Sequence, residues 1–77
     1  MNFVDRYRKV FFEAFQGVDE SNVELLEYQG IVEWDSIGHM NLISLLENEF
    51  GIMLEMDDVI DFASYVKGLQ IIQKYLK

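Results

Sequence analysis

The sequence predicts an all-α four-helix bundle, with a long loop between helices 1 and 2 and a short third helix. Over two long segments, apolar residues recur at spacings of three and four, which is the period of one face of a helix. The 77 residues contain no proline and only five glycines, which favours helices joined by loops over a turn-rich β-fold. Hydrophobic residues make up 51% of the chain, enough for one small packed domain spanning residues 1–77.

The first helix is predicted from Asn2 to Gln16. Asn2 with Asp5 three residues later is typical of a helix N-terminus. The apolar face repeats every three or four residues and consists of Phe3, Tyr7, Val10, Phe11, Ala14 and Phe15. The following stretch, GVDESNVELLEYQGIVEW, keeps no long period, so we expect a long loop with one helical turn near residues 23–27.

The second helix is predicted from Ser36 to Phe50, with Gly51 as the glycine that ends it. Helical spacing assigns its inward face. That face is expected to contain Ile37, Met40, Ile43, Leu46 and Phe50, with Leu42 and Leu45 widening it.

Two shorter segments complete the fold. The acidic start of the stretch MDDVIDF suits the positive end of a short third helix. Ser64 is the expected N-cap of a last helix, from Tyr65 to Leu76, and Lys74 and Lys77 suit its negative end. The buried face of this helix is predicted to contain Val66, Leu69, Ile72 and Leu76.

The charge distribution restricts the class of partner. The formal net charge is −8, and the segment from Val10 to Val66 carries 13 of the 14 acidic side chains and no Lys or Arg. Binding to nucleic-acid phosphates requires basic side chains, so a nucleic-acid partner is not expected. An acidic surface of this kind attracts basic proteins instead.

The cysteine count and the hydropathy pattern indicate the cellular compartment in which the protein is expected to act. The chain has no cysteine, so neither a disulfide framework nor a thiolate metal site is expected. The first 15 residues mix charges throughout and lack the apolar region of a signal peptide. No segment has 18 consecutive apolar residues, so we expect a monomeric cytoplasmic protein without membrane insertion.

Catalysis and metal binding have little support in the sequence. Ser36 and His39 are three residues apart, but no G-x-S-x-G motif surrounds the serine and no third group orients the histidine. We therefore expect His39 to be an exposed helix histidine. Asp57, Asp58 and Asp61 lack the regular spacing of a calcium loop, so they are expected to be solvated capping carboxylates. The prediction is a protein that is not an enzyme and holds no metal.

One motif does point to a function. The run DSIGHMNLISLLENEFGI, residues 35–52, resembles the phosphopantetheine attachment motif of acyl carrier proteins. That motif has an Asp-Ser-Leu triplet at the start of helix 2, an apolar stripe, and a helix that ends in an acidic pair followed by Phe-Gly-Ile. Here the triplet is Asp35-Ser36-Ile37, and the resemblance extends from about Phe3 to Leu76.

The resemblance implies that a phosphopantetheinyl transferase attaches 4′-phosphopantetheine to Ser36, and that the thiol of this arm carries acyl groups as thioesters. Asp35 would orient the site and help to bind the transferase. A phosphodiester at Ser36 would lie near a helix N-terminus, where backbone N–H groups and the helix dipole favour an anion.

The family also suggests where the acyl chain lies and which enzymes bind the carrier. The chain would lie between helices 2 and 3, in a pocket expected to consist of Met40, Ile43, Leu46, Phe50, Leu54, Val59, Ile60 and Phe62. Partner enzymes that load or transfer the acyl group would recognise helix 2 with basic patches.

The chain departs from the fatty-acid-synthesis type of carrier at two positions of helix 2. The positions two and five after the serine, usually acidic there, are Gly38 and Asn41, which favours a specialised pathway for lipids, polysaccharides or natural products. A carrier of aminoacyl groups, D-alanyl or peptidyl, is the alternative within the class. An acidic helical adaptor without a prosthetic group is the alternative outside it.

Overall fold

The computed structural model describes residues 2–76 and is all-α. Within that range it contains no β-strand, and one isolated antiparallel bridge joins Glu27 to Ser64. A single 3-10 turn, Val23–Leu25, lies in the first connection, where one helical turn was predicted. The four helices of the described range are α1 (Phe3–Ala14), α2 (Ser36–Phe50), α3 (Met56–Asp61) and α4 (Tyr65–Tyr75).

Caps explain where most of the helices begin and end. The side chain of Asn2 accepts a hydrogen bond from the Asp5 N–H at 2.9 Å, and Ser64 accepts one from the Lys67 N–H at 3.0 Å. Gly51 ends α2 in the left-handed region, with φ 64°, where a residue without a Cβ has no penalty. The predicted bounds of α2 are thus confirmed.

Two helices are shorter than predicted. The backbone of Phe15 is extended, so α1 ends at Ala14 rather than Gln16, and the Phe15 ring is fully buried. Helix α4 ends at Tyr75 rather than Leu76. The predicted dipole contact of Lys77 lies outside the described residues.

The core is dominated by aromatic rings. Its fully buried aromatic side chains come from α1, from the long first connection and from the C-terminal end of α3, and they are Tyr7, Phe11, Phe15, Trp34 and Phe62. The Tyr7 hydroxyl donates to the carbonyl oxygen of Tyr65 at 2.7 Å, and its burial raises the Tyr7 pKa well above the ordinary range. This bond satisfies a polar group that would otherwise be costly to bury.

The predicted inward face of α2 is wrong at its N-terminal end. Ile37 is 81% exposed and Met40 is 54% exposed, whereas the buried residues of the helix are Leu42, Ile43 and Leu46. The buried stripe is rotated by about one residue because half-buried His39, not Met40, occupies its first position. Apolar periodicity could not assign an inward position to a polar side chain.

The predicted face of α4 is wrong at two positions for a related reason. Val66 and Leu76 are exposed, and the buried residues are Tyr65, Gly68, Ile71 and Ile72. A Cβ at Gly68 would overlap the Phe62 ring, so this glycine allows the ring to lie directly on the helix. A glycine on the contact face carries no apolar signal in the sequence.

Ion pairs connect several of the elements. Glu49 on α2 accepts from Arg6 Nε at 2.8 Å and lies 3.3 Å from Lys9 Nζ, both on α1. Lys74 on α4 donates to Asp58 on α3 at 2.8 Å. Basic side chains from the ends of the sequence are therefore paired with acids of the middle. Within residues 2–76, no helix has the length and apolar character that crossing a bilayer requires.

Candidate functional site

Ser36 is the first residue of α2, and its side chain is exposed. The residue before it, Asp35, is the N-cap: its Oδ1 accepts the N–H of Gly38 at 2.8 Å. Asp35 therefore performs the structural task of capping, which leaves the Ser36 hydroxyl in solvent. The free N–H groups of the first turn and the helix dipole make this position favourable for an anion.

Gly38 lies in the first turn of α2, at a position without space for a side chain. A Cβ at this position would overlap the carbonyl oxygen of Glu33, because the backbone before α2 folds back against the first turn of the helix. No side chain fits there, acidic or otherwise. The same tight approach fixes the path of the chain that leads into Asp35 and Ser36.

A cavity of about 360 Å³ lies beside Ser36, between α2 and α3, and opens to solvent. Its inner wall includes Phe62, which is 1% exposed, together with half-buried His39 and Val59. The exposed rim consists largely of aliphatic and thioether side chains. Its residues are Tyr28, Ser36, Met40, Met56, Ile60 and Ala63. The cavity is therefore apolar, with a hydroxyl at its edge.

His39 is not the exposed histidine that was expected. The Trp34 indole Nε1–H donates to His39 Nδ1 at 2.9 Å, and His39 Nε2 lies 2.8 Å from the carbonyl oxygen of Val59. Because an indole N–H can only donate, Nδ1 must be the acceptor, and the proton is inferred to be on Nε2, which donates to Val59. The ring also lies 5.3 Å from the Tyr28 ring and 6.0 Å from the Phe62 ring, centroid to centroid. His39 thus connects the loop before α2, α2 itself and α3.

Half of the side chains expected in an acyl pocket line this cavity. Met40, Val59, Ile60 and Phe62 line it, although Met40 and Ile60 do so from its exposed rim, Ile60 being 69% exposed. The expectation that helical period turns Met40 inward is therefore wrong.

The other half lie elsewhere in the fold. Ile43, Leu46 and Leu54 are buried in the core, and Phe50 packs against the Phe3 ring at 5.4 Å. Ile37, the third residue of the motif triplet, points into solvent and is not part of the lining. The cavity thus extends along only the first part of α2.

Four lining residues were not predicted to line the pocket: Tyr28, His39, Met56 and Ala63. Tyr28 lies in the long first connection, and its backbone N–H donates to the Ala63 carbonyl at 2.9 Å. That bond brings two distant parts of the sequence to one side of the cavity. Helical periodicity carries no signal for such a contact between irregular segments, so no local pattern would have revealed it.

The acidic cluster of α3 is divided between a structural and a surface role. Asp58 accepts from Lys74 and from the Tyr75 hydroxyl, and these hydrogen bonds lower the pKa of the Asp58 carboxyl. Asp57 and Asp61 are exposed. Among residues 2–76, no three His, Cys, Asp or Glu side chains are placed to share a metal ion.

The exposed side of α2 carries no charge. Glu49 is engaged by Arg6 and Lys9, and Glu47 accepts the Leu54 N–H at 2.9 Å. The exposed residues of the helix are all neutral, and they are Ser36, Ile37, Met40, Asn41, Ser44 and Asn48. Near the cavity, exposed acidic side chains come from α3 and from the turn before α2 rather than from α2 itself.

Comparison of the chain with protein-family models, with curated proteins and with solved structures gives no significant match. The residues of the chain itself therefore carry the functional inference.

Proposed function

We propose that this protein is an acyl carrier protein, a four-helix bundle that carries acyl groups on 4′-phosphopantetheine attached to Ser36. The observation that carries the proposal is the exposed Ser36 hydroxyl at the edge of an apolar cavity between α2 and α3. The arm, when bound, supplies a thiol that holds the acyl group as a thioester. The protein itself binds and presents this cargo and performs no catalysis.

The attachment site fits the phosphate of such an arm. Ser36 Oγ is exposed at the first position of α2, and the cap provided by Asp35 leaves that oxygen free. The positive end of the helix dipole stabilises a phosphodiester at this position. A phosphopantetheinyl transferase would approach from the solvent side, where the exposed Ile37 side chain lies next to the serine.

The cavity supports an apolar cargo. Its volume of about 360 Å³ is more than twice the roughly 150 Å³ of an engineered apolar cavity that binds benzene. Met40 and Met56 on the rim are flexible enough to adapt to a chain of varying shape. Burial of a medium-length chain would stabilise the loaded form by about 0.8 kcal/mol per methylene, less the cost of opening the site.

The same lining argues against the aminoacyl alternative. The ammonium group of a D-alanyl or aminoacyl cargo would require carboxylate or carbonyl partners, whereas aromatic, aliphatic and thioether groups dominate this cavity. Such a cargo would remain in solvent and leave the cavity unused.

The surface around Ser36 supports a specialised carrier rather than a carrier of housekeeping fatty acid synthesis. Because the exposed side of α2 is neutral, partner enzymes with basic patches would find their counter-charges on α3, at Asp57 and Asp61. Between α2 and α3, the exposed apolar residues Met40, Met56 and Ile60 would contact an apolar part of the partner. We propose that the carrier acts in the cytoplasm as a monomer that binds its partner enzymes transiently.

Intact mass measurement tests the proposal. After coexpression with a broad-specificity phosphopantetheinyl transferase, the wild type should gain the mass of one arm, and Ser36→Ala should gain none. Ser44→Ala is the matched control, since Ser44 is an exposed serine of the same helix, and it should be modified like the wild type. An unmodified wild type would contradict the proposal and favour the adaptor alternative. A modified Ser36→Ala would contradict the assignment of the arm to Ser36.

A further inference from the structure

His39 is held on every side that faces the protein. Its two ring nitrogens bond Trp34 and the Val59 carbonyl at 2.9 and 2.8 Å, and its ring contacts those of Tyr28 and Phe62. Trp34 behind it is fully buried and packs on the Phe15 ring at 5.5 Å. An incoming chain could displace the imidazole only by leaving an indole N–H and a carbonyl without partners, and such groups are costly to bury.

Along α2 the cavity ends at His39 and Met40, of which only His39 lies on the partly buried side of the helix. Ser36, His39 and Met40 line it, but Ile43, one helical turn beyond His39, does not. The buried stripe of the helix continues through Leu42, Ile43 and Leu46, all without contact with the cavity. His39 is therefore the last inward-facing residue of α2 that lines the cavity, one turn before Ile43 in the buried stripe of the helix.

We propose that His39 determines the length of the acyl chain that this carrier shelters, by closing the inner end of the cavity. The inference rests on the proposed function, because it concerns the cargo attached through Ser36. His39 is a specificity-determining residue in this scheme and takes no part in attachment. Chains that reach the imidazole fill the cavity, and further methylenes remain at the exposed rim among Met40, Met56 and Ile60.

The test is to load the carrier with saturated acyl chains of increasing length and to record the melting temperature of each form. For the wild type, the melting temperature should rise with each added methylene up to a limiting length and then level off. His39→Ala removes five heavy atoms one helical turn before Ile43, so its limit should lie about two methylenes further, allowing for partial collapse of the space. Trp34 fluorescence gives a second readout, since only chains that reach the imidazole should alter the emission of its indole partner.

Three further variants distinguish an effect on the limiting chain length from an effect on the general stability of the fold. His39→Gln keeps most of the bulk and can bond one of the two former partners, so its limiting length should equal that of the wild type. Leu42→Ala weakens the core away from the cavity, so it should lower every melting temperature and leave the limit in place. Ile43→Ala, with His39 present, should also leave the limit unchanged.

The outcomes for the inference and for the proposed function are distinct. If mass measurement finds no arm on Ser36, the proposed function fails before any chain is loaded. If the arm is loaded and folded His39→Ala has the wild-type limit, the inference is overturned. If His39→Ala does not fold, the Ile43→Ala variant is decisive. A longer limiting chain length in Ile43→Ala, with His39 present, would overturn the inference, and an unchanged limiting length would support it.

Discussion

The indole N–H of Trp34 donates to the imidazole Nδ1 of His39 at 2.9 Å, and the two ring planes are 17° from parallel. The pair connects the buried aromatic core to the wall of the cavity beside Ser36. We therefore expect a change at the cavity wall to affect the packing of the core, and a change in the core to affect the cavity wall.

A double-mutant cycle on this pair should show energetic coupling. Trp34→Phe removes the donor and leaves space in the core, so the free energy of unfolding should fall by about 2 kcal/mol. His39→Leu removes the acceptor, and the combined variant should lose about 1 kcal/mol less than the sum of the two single losses. Urea unfolding of the four proteins measures this, and strictly additive losses would show that the hydrogen bond contributes nothing.

Asp35 and Ser36 should differ sharply in their contributions to stability. Asp35 provides the N-cap of α2, so Asp35→Ala should lower the free energy of unfolding by about 1 kcal/mol. Ser36→Ala should change it by less than about 0.5 kcal/mol, since the side chain is exposed. Thermal and urea unfolding of the unmodified proteins compare the two, and a larger loss for Ser36→Ala would assign the capping task to the serine.

Gly38→Ala should be destabilising although alanine is intrinsically the better helix former. Its Cβ would overlap the Glu33 carbonyl oxygen, a backbone atom that cannot rotate away, so the turn before α2 must shift. The overlap should cost about 2–3 kcal/mol, which exceeds the roughly 1 kcal/mol gain in helix propensity and leaves a net loss of about 1–2 kcal/mol. Ser44→Ala on the exposed side of the same helix is the control and should be neutral or slightly stabilising. A stabilised Gly38→Ala protein would mean that the turn moves freely.

Stability should fall in acid, partly through Asp58. Hydrogen bonds from Lys74 and Tyr75 lower the Asp58 pKa from its ordinary value of 3.8, so this carboxylate stabilises the fold above that pH. The contribution is lost as the pH falls through the lowered pKa of the folded state. Asp58→Asn should therefore reduce stability at neutral pH and flatten the decline below about pH 4, and urea unfolding between pH 7 and pH 2 measures both.

Two further carboxylates, Asp57 and Glu49, help to attribute the acid decline in stability to Asp58. Asp57→Asn, at an exposed position of the same helix, should leave the steepness of the acid decline unchanged. Glu49 is also held in its charged form, since hydrogen bonds from Arg6 and Lys9 lower its pKa. Some decline should thus persist in Asp58→Asn, and an undiminished decline would count against the role of Asp58.

Added salt should raise the melting temperature. The formal net charge is −8, and among residues 2–76 the ion pairs leave most of the acidic side chains of the middle without a cation. Self-repulsion among them destabilises the folded chain and is screened by salt or by divalent cations. Thermal melts at low salt, at raised sodium chloride and with magnesium test this, and coincident curves would refute it.

Local patterns in the sequence predicted where the helices lie. The bounds of α2 followed from helical spacing after Asp35 and a glycine after Phe50, and the N-terminal caps at Asn2 and Ser64 were visible in the sequence. These signals are local because a cap involves atoms only two or three residues apart. The position of Ser36 at the N-terminus of a helix, on which the proposed attachment site depends, is likewise set by neighbouring residues in the sequence.

Tertiary structure alone decided which faces are buried and what lines the cavity. His39 lies inward because its two nitrogens find partners 5 and 20 residues away, and α4 turns Gly68 inward because the Phe62 ring needs its space. Tyr28 reaches the cavity through a backbone bond to Ala63, 35 residues later. The sequence by itself therefore determined the helices, the caps and the exposed serine, since these depend on near neighbours. The depth of the cavity depended on contacts between distant segments, because a polar or glycine residue is buried only where another part of the chain supplies its partner.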